Sequence, residues 1–294
     1  MSSIIKHLKK QNLINPPHYV HDSLQYEVMM GSIAYGVSSN VSDIDVYGFC
    51  IPNKDIIFPH LKGEIRGFGR QIQNFDQYQQ HHVIDPSNQK EYDMSIYNIV
   101  KYFQLVMDNN PNMIDSLFVP RRCILYTTKI GEMVRERRKD FLHKGCFHKL
   151  KSYAFSQMHK MRIKNPEGKR KELIEKYGYD VKFAYHVVRL LNECEQILIE
   201  HDLDLERNRE QLKDIRNGQW TMNQIEEYFY SKEKQLEELY IKSDLPHSPD
   251  EDKIKELLLN CLEEHFGTLD GAIVRDNNIG EMISELETLI RRYR

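Results

Sequence analysis

The sequence predicts an α/β fold of the α+β kind, with a sheet-bearing amino-terminal half and a helical remainder, on three observations. Residues 26 to 51 read as two strand-type runs around a turn: Tyr26, Val28, Met29 and Met30 lead into Gly31-Ser32, and Ile44 to Ile51 is rich in β-branched and aromatic residues. Phe75 to Ile84 alternates loosely before the turn signal Asp85-Pro86-Ser87-Asn88, so Gln89 to Ile96 is expected to return as the second arm of a hairpin. From Arg121 onward apolar residues recur at helical spacing, and helices are expected to dominate. The expected division is a core over residues 1–120 and a helical domain over 121–294, closing one side of a cleft.

Residues 4 to 14 read as a short amphipathic helix that ends before Pro16-Pro17, whose fixed backbone forces an extended entry into the first strand. Pro52 stops the second strand, and Asn53 to His60 is expected to be helical or turned. Gly63, Gly67 and Gly69 lack the spacing and the Lys-Ser/Thr of a Walker loop and are expected to let a strand bend. Ser95 to Met107 has helical spacing and is stopped by Asn109-Asn110-Pro111, after which Met113 to Val119 is a further short helix. Phe147 to Arg162, Gly178 to Glu200, Lys253 to His265 and Gly280 to Arg294 are expected to be further helices.

The stretch from Met30 to Cys50 carries the chemistry. Alternate strand residues face the same way, so Asp43 and Asp45 present two carboxylates on one face while Ile44 and Val46 point behind the sheet. An oxygen pair of this kind suits a hard divalent cation such as magnesium, which completes its shell with phosphates and water. Ahead of them, with ten residues between Ser32 and Asp43, Gly31 lets a phosphate approach the backbone and the Ser32 hydroxyl can hold one of its oxygens. Together they are expected to hold a nucleoside triphosphate. Glu91 and Asp93 share one face of the third strand. On the helix from Gly178, Lys182, His186 and Arg189 stand at i, i+4 and i+7, a cationic stripe able to neutralise a triphosphate, with Tyr179 or Tyr185 able to stack on a base.

The wording GSIAYG followed by SDIDVYGF resembles the DNA polymerase β nucleotidyltransferase superfamily, and within it the RNA repair pathway DNA polymerase β family. NNPNMIDSLF, YDVKFAYHVVRLLNECEQIL and IRNG resemble later family segments. The resemblance implies a nucleotidyltransferase core with a mixed sheet and two magnesium ions, or manganese, held by Asp43, Asp45 and a third carboxylate. That carboxylate, which also deprotonates the acceptor hydroxyl, is assigned to Asp93 with Glu91 as the alternative. Nucleotide-binding roles fall on Gly31, Ser32, Tyr35, Lys182, His186 and Arg189. The implied substrate is a triphosphate such as ATP and the implied acceptor an RNA end. The alternatives are nucleotidylation of a protein or small molecule, and a non-catalytic RNA-binding module.

Charge is unevenly placed along the 294 residues. Residues 121 to 171 hold sixteen Lys/Arg against four Asp/Glu, whereas residues 193 to 294 hold thirteen against twenty-five. Either the basic segment tracks an RNA backbone or it pairs with the acidic one. No apolar run approaches a membrane span, the first residues lack a signal-peptide core, and the five cysteines lack any CxxC spacing. A cytoplasmic protein with reduced thiols and no membrane partner is expected. His143, Cys146 and His148 lack a fourth zinc ligand, and Asp276-Asn277-Asn278 lacks the spacing of a calcium loop.

Overall fold

Strand alternation sets the layers. The computed structural model describes residues 3–38, 43–71, 73–163 and 169–273. Five strands, β1 (Leu24–Met29), β2 (Ile44–Cys50), β3 (Gln77–Asp85), β4 (Lys90–Asn98) and β5 (Ile124–Thr127), form one mixed sheet among the described residues, in the order β3-β4-β2-β1-β5. β2 and β4 run parallel and the other neighbours antiparallel. The α+β class read from the sequence is therefore the observed one.

Ile44 and Val46 do point behind the sheet. They pack with Met94 and Ile96 against Ile5 and Leu8 of α1 (Ile4–Lys10) and Val20 of α2 (His18–Asp22). Glu27 of β1 faces the same layer, fully buried, and accepts the Ile5 N–H at 2.9 Å at the amino end of α1. Burial pushes its pKa up to about 7 against the pull of Ser3 and Ile5. α1 is shorter than expected because the chain turns at Gln11-Asn12, with Asn12 in the left-handed region.

The opposite face carries Tyr26, Val28 and Phe49 and most of the remaining chain. After the one-turn helices α3 (Gly31–Ala34) and α4 (Lys54–Ile57), α5 (Ile99–Met107), α6 (Pro111–Phe118) and α7 (Lys129–Glu136) lie on or beside the sheet. Then follow α8 (Gly145–Ile163), α9 (Lys169–Tyr177), α10 (Val181–Glu200), α11 (Arg209–Arg216), α12 (Met222–Lys242) and α13 (Glu251–Phe266). α10 is the hub of this half, packed by α8, α11 and α12. Its amino end is fixed by Asp180, whose carboxylate accepts the N–H groups of Lys182 and Phe183, and Thr221 with Gln224 forms a capping box on α12.

Three element readings change. Residues 95 to 98 continue β4, because Gly48, Phe49 and Cys50 remain in register with Ile96, Tyr97 and Asn98, and Asn98 itself caps α5 by accepting the Val100 N–H. Gly63, Gly67 and Gly69 bend no strand; each sits at positive φ in the turns after the 3₁₀ segment Pro59–Lys62. β5 lies beyond residue 120, a strand only four residues long whose partner is β1. The helix read over 280–294 lies outside the described residues. All five cysteines are free and buried, and no described helix is long and apolar enough to cross a membrane.

Arg135 of α7 is spent on the fold. It is buried, and its guanidinium donates to the Leu117 and Val119 carbonyls at 2.8 and 2.5 Å and to the Tyr26 hydroxyl at 3.0 Å. Arg135→Ala should leave these acceptors unpaired in the core and lower stability by roughly 2 to 4 kcal/mol. Urea unfolding checks this, and an unchanged midpoint would remove Arg135 from the list of structural residues.

Candidate active site

β2 and β4 pair in parallel with Asp45 opposite Asp93, so a single register brings together two carboxylates that are far apart in sequence. Asp43 lies just before β2. β1 delivers Gly31 and Ser32 to the same place, and the Met30 N–H donates to the Asp45 carbonyl at 2.7 Å. Gly31 has φ +61°, and a Cβ there would overlap the Asp45 carboxylate. Glycine is thus required twice, by its backbone conformation and by the close approach of Asp45.

The opposite wall of this cleft, a cavity of about 160 Å³, comes from the helical half. Lys182, Tyr185 and His186 of α10 and Arg216 at the end of α11 face Gly31, Ser32, Asp43, Asp45 and Asp93 across it. Arg216 is anchored by donating to the Val37 carbonyl at 2.8 Å and lies over the Tyr185 ring at 5.5 Å. The surrounding protein desolvates His186, and the nearby Arg189, Arg170, Arg216 and Lys182 add like-charge repulsion, so its pKa falls well below the usual imidazole range. His186 therefore presents a neutral ring at neutral pH. Asp45 moves oppositely: burial first, then the Asp93 and Asp43 charges, raise it to about 6.

Among the residues read from the sequence, Gly31, Ser32, Asp43, Asp45, Asp93, Lys182 and His186 meet in the cleft. Tyr35 and Arg189 do not line it. Both are buried one layer deeper, where Arg189 donates to Asp115 at 2.5 Å, to Glu193 at 2.8 Å and to the Tyr35 hydroxyl at 2.8 Å, while that hydroxyl donates to Asp115 at 2.6 Å. The i+7 position is a helix turn too far to keep Arg189 in the opening. Glu91 also stays outside, hydrogen-bonded to His82 at 2.5 Å. Arg216 lies in the family-like IRNG segment but drew no site role from the sequence, since a cation in the last turn before Asn217-Gly218 looks like an ordinary helix end. His143 is structural: its ring accepts the Gly145 N–H and pairs with the Met107 carbonyl at 2.8 Å.

The model of the RNA repair pathway DNA polymerase beta family matches residues 5–260. The chain belongs to that family. Among solved structures, a nucleotidyltransferase-like protein from Exiguobacterium sibiricum aligns over 98% of this chain and 89% of its own, at 10% identity and a TM-score of 0.29. No curated protein matches. Family membership makes the chain a polymerase β-like nucleotidyltransferase, and the cleft contains the Gly-Ser and Asp-x-Asp elements that first suggested it.

Asp45 ties the site to pH. Its folded pKa of about 6 lies above the ordinary value of 3.8, so the folded protein binds the extra proton between those values and loses stability as pH rises through that window. A shift of this size corresponds to roughly 3 kcal/mol. Without divalent cations, Asp45→Asn should therefore raise the melting temperature at pH 7 and leave it little changed near pH 4. Melting curves at both pH values in chelator check this, and equal effects at both would show that Asp45 is not strained by its neighbours.

Proposed function

We propose that the protein transfers a nucleoside monophosphate from a nucleoside triphosphate to an acceptor hydroxyl, an RNA end, with magnesium held by Asp43, Asp45 and Asp93. The observation that carries the reading is one cleft with three carboxylates on the sheet wall and Ser32, Lys182 and Arg216 around it. The donor set fits a hard cation, since every nearby acid contributes oxygen, and burial followed by the Asp93 and Asp43 charges disfavours a bare Asp45 carboxylate there. Magnesium would supply Lewis-acid stabilisation of the charge that builds on the phosphoryl oxygens.

The chain's own groups account for the rest. Ser32 and the backbone of the Gly31 turn receive phosphate oxygens, and Gly31 leaves room for them. Lys182 and Arg216 offset the triphosphate charge from the helical wall, Arg216 already aimed by its bond to Val37. Neutral His186 can donate a hydrogen bond without adding charge. Asp93 is the group to accept the acceptor hydroxyl proton; the His82 N–H holds its Oδ1 at 2.8 Å, which leaves Oδ2 for that task.

A specific observation favours a second acceptor, a protein or small molecule. Much of the basic segment is engaged internally: Lys151 with Glu233 and Glu237 at 2.9 and 3.1 Å, Arg162 with Glu226 at 2.7 Å, Lys139 with Asp202 at 2.5 Å, Arg137 with Asp140, and Arg135 in the core. Lys149 and Lys160 have no carboxylate partner among the described residues.

Labelled triphosphate, magnesium and RNA should yield labelled RNA, and Asp43→Asn or Asp45→Asn should reduce transfer at least about a thousandfold by removing a charge from the metal site. Wild-type turnover by the double variant would reject the catalytic assignment. If RNA is the acceptor, replacing Lys149 and Lys160 by Gln should flatten the salt dependence of RNA binding by about 0.7 per lost phosphate contact. A salt slope near zero in the unaltered protein would reject RNA and leave the second acceptor reading.

A further inference from the structure

Beside the cleft, the β3–β4 ladder contains an irregularity with chemical consequences. Gln80 pairs with Met94 and Val83 with Tyr92, so His81 and His82 together stand opposite the single residue Asp93. This is a β-bulge, and His82 adopts φ +56° within it. In a regular strand two successive side chains would point to opposite faces; here both imidazoles turn toward the same acids. His82 Nδ1 is 2.5 Å from Glu91 Oε1 and His81 Nδ1 is 3.6 Å from Asp93 Oδ1. One ligand atom from each of His82, Glu91 and Asp93 lies within 4.8 Å of the others.

We propose that His82, Glu91 and Asp93, with His81 able to provide the fourth ligand, form a binding site for a zinc-type divalent cation, adjoining the all-oxygen magnesium site and sharing Asp93 with it. Ligands at zinc distances of about 2.0 to 2.2 Å sit roughly 3.3 Å from one another in a tetrahedron. The three ligand atoms lie within 4.8 Å of one another, wider than that spacing, and rotation of the exposed His82 and part-exposed Glu91 side chains would close the difference. Its donors differ from those of the cleft: imidazole nitrogen suits zinc and its neighbours, whereas magnesium prefers oxygen alone. The mixed set of two imidazoles and two carboxylates also distinguishes it from a patch of surface acids. With His82 81% and His81 55% exposed, the site is open to an ion from solvent. Asp93 belongs to both clusters, so an ion on the bulge draws on a carboxylate that the cleft also uses. The inference does not depend on the transferase reading, because the ligands and their geometry stand whatever the cleft catalyses.

Zinc titration by calorimetry, in excess magnesium, tests it on the full-length protein, with cobalt as a spectroscopic stand-in. The unaltered protein should bind one equivalent of zinc, and cobalt should give visible bands of a nitrogen-ligated low-coordinate ion. His82→Asn removes the imidazole while tolerating the left-handed backbone, and should weaken zinc by at least about tenfold and bleach the cobalt bands. Asp43→Asn should leave both within a few-fold. Equal zinc affinity in the His82→Asn and unaltered proteins would overturn the site, as would no zinc binding at all. Loss on Asp43→Asn as complete as on His82→Asn would also overturn it, by placing the ion among the cleft carboxylates.

Discussion

Burial of the Asp45 carboxylate beside Asp43 and Asp93 is the constraint around which the molecule is arranged. Three acids on one sheet wall, one of them with its pKa raised to about 6, make a local arrangement that the fold must enforce. Enforcement comes from the parallel β2–β4 register, which fixes Asp45 beside Asp93 through the hydrogen bonds of seven residue pairs. A slip of one residue would turn the acids into the apolar layer and Ile44 and Val46 out of it. That layer, packed by α1 and α2, therefore holds the acids in place from behind.

The second half of the enforcement is electrostatic and comes from α10. Lys182 and His186 reach the cleft because Arg189, one layer below, ties α10 to Tyr35 just after the Gly31 turn and to Asp115 on α6. The tie is itself a buried charge group. Burial raises the pKa of both Asp115 and Glu193 while the Arg189 guanidinium opposes it. Breaking such a cluster at one member leaves the others uncompensated in the core, which explains why three distant sequence segments, Tyr35, Asp115 and Arg189, are fixed to one another.

Legibility followed physical locality. The Gly-Ser turn and Asp-x-Asp strand could be read because strand alternation and glycine stereochemistry act within a few residues. Asp93 could be placed on the correct face by the hairpin pattern, but the preference over Glu91 needed the family, since only the inter-strand register shows that Asp93 stands opposite Asp45. The helical stripe on α10 was real in its first two members and failed at Arg189, where depth decides the role and helical spacing carries no information about depth. β4 was cut short for a related reason: Ile96, Ile99, Val100 and Phe103 fit a helix repeat, yet tertiary pairing with β2 overrides it as far as Asn98. β5 gave almost no local signal, being four residues long, and Arg216 drew attention only through the IRNG resemblance, which assigns it no role, since it is otherwise an ordinary helix end.

The opposed charges of residues 121–171 and 193–294 illustrate the same limit at larger scale. Read along the chain, a block of sixteen cations suggests an extended anionic partner; folded, Lys151 and Arg162 reach acids of α12, Lys139 reaches Asp202 just after α10, and Arg135 holds carbonyls in the core. Partly exposed pairs of this kind contribute about 0 to 1 kcal/mol each, so stability is a minor result of the arrangement. Each such pair also offsets part of the long-range field of the basic block. Positive charge remains at Lys182 and Arg216 inside the cleft, where the triphosphate of the proposed reaction would meet it between the sheet and α10.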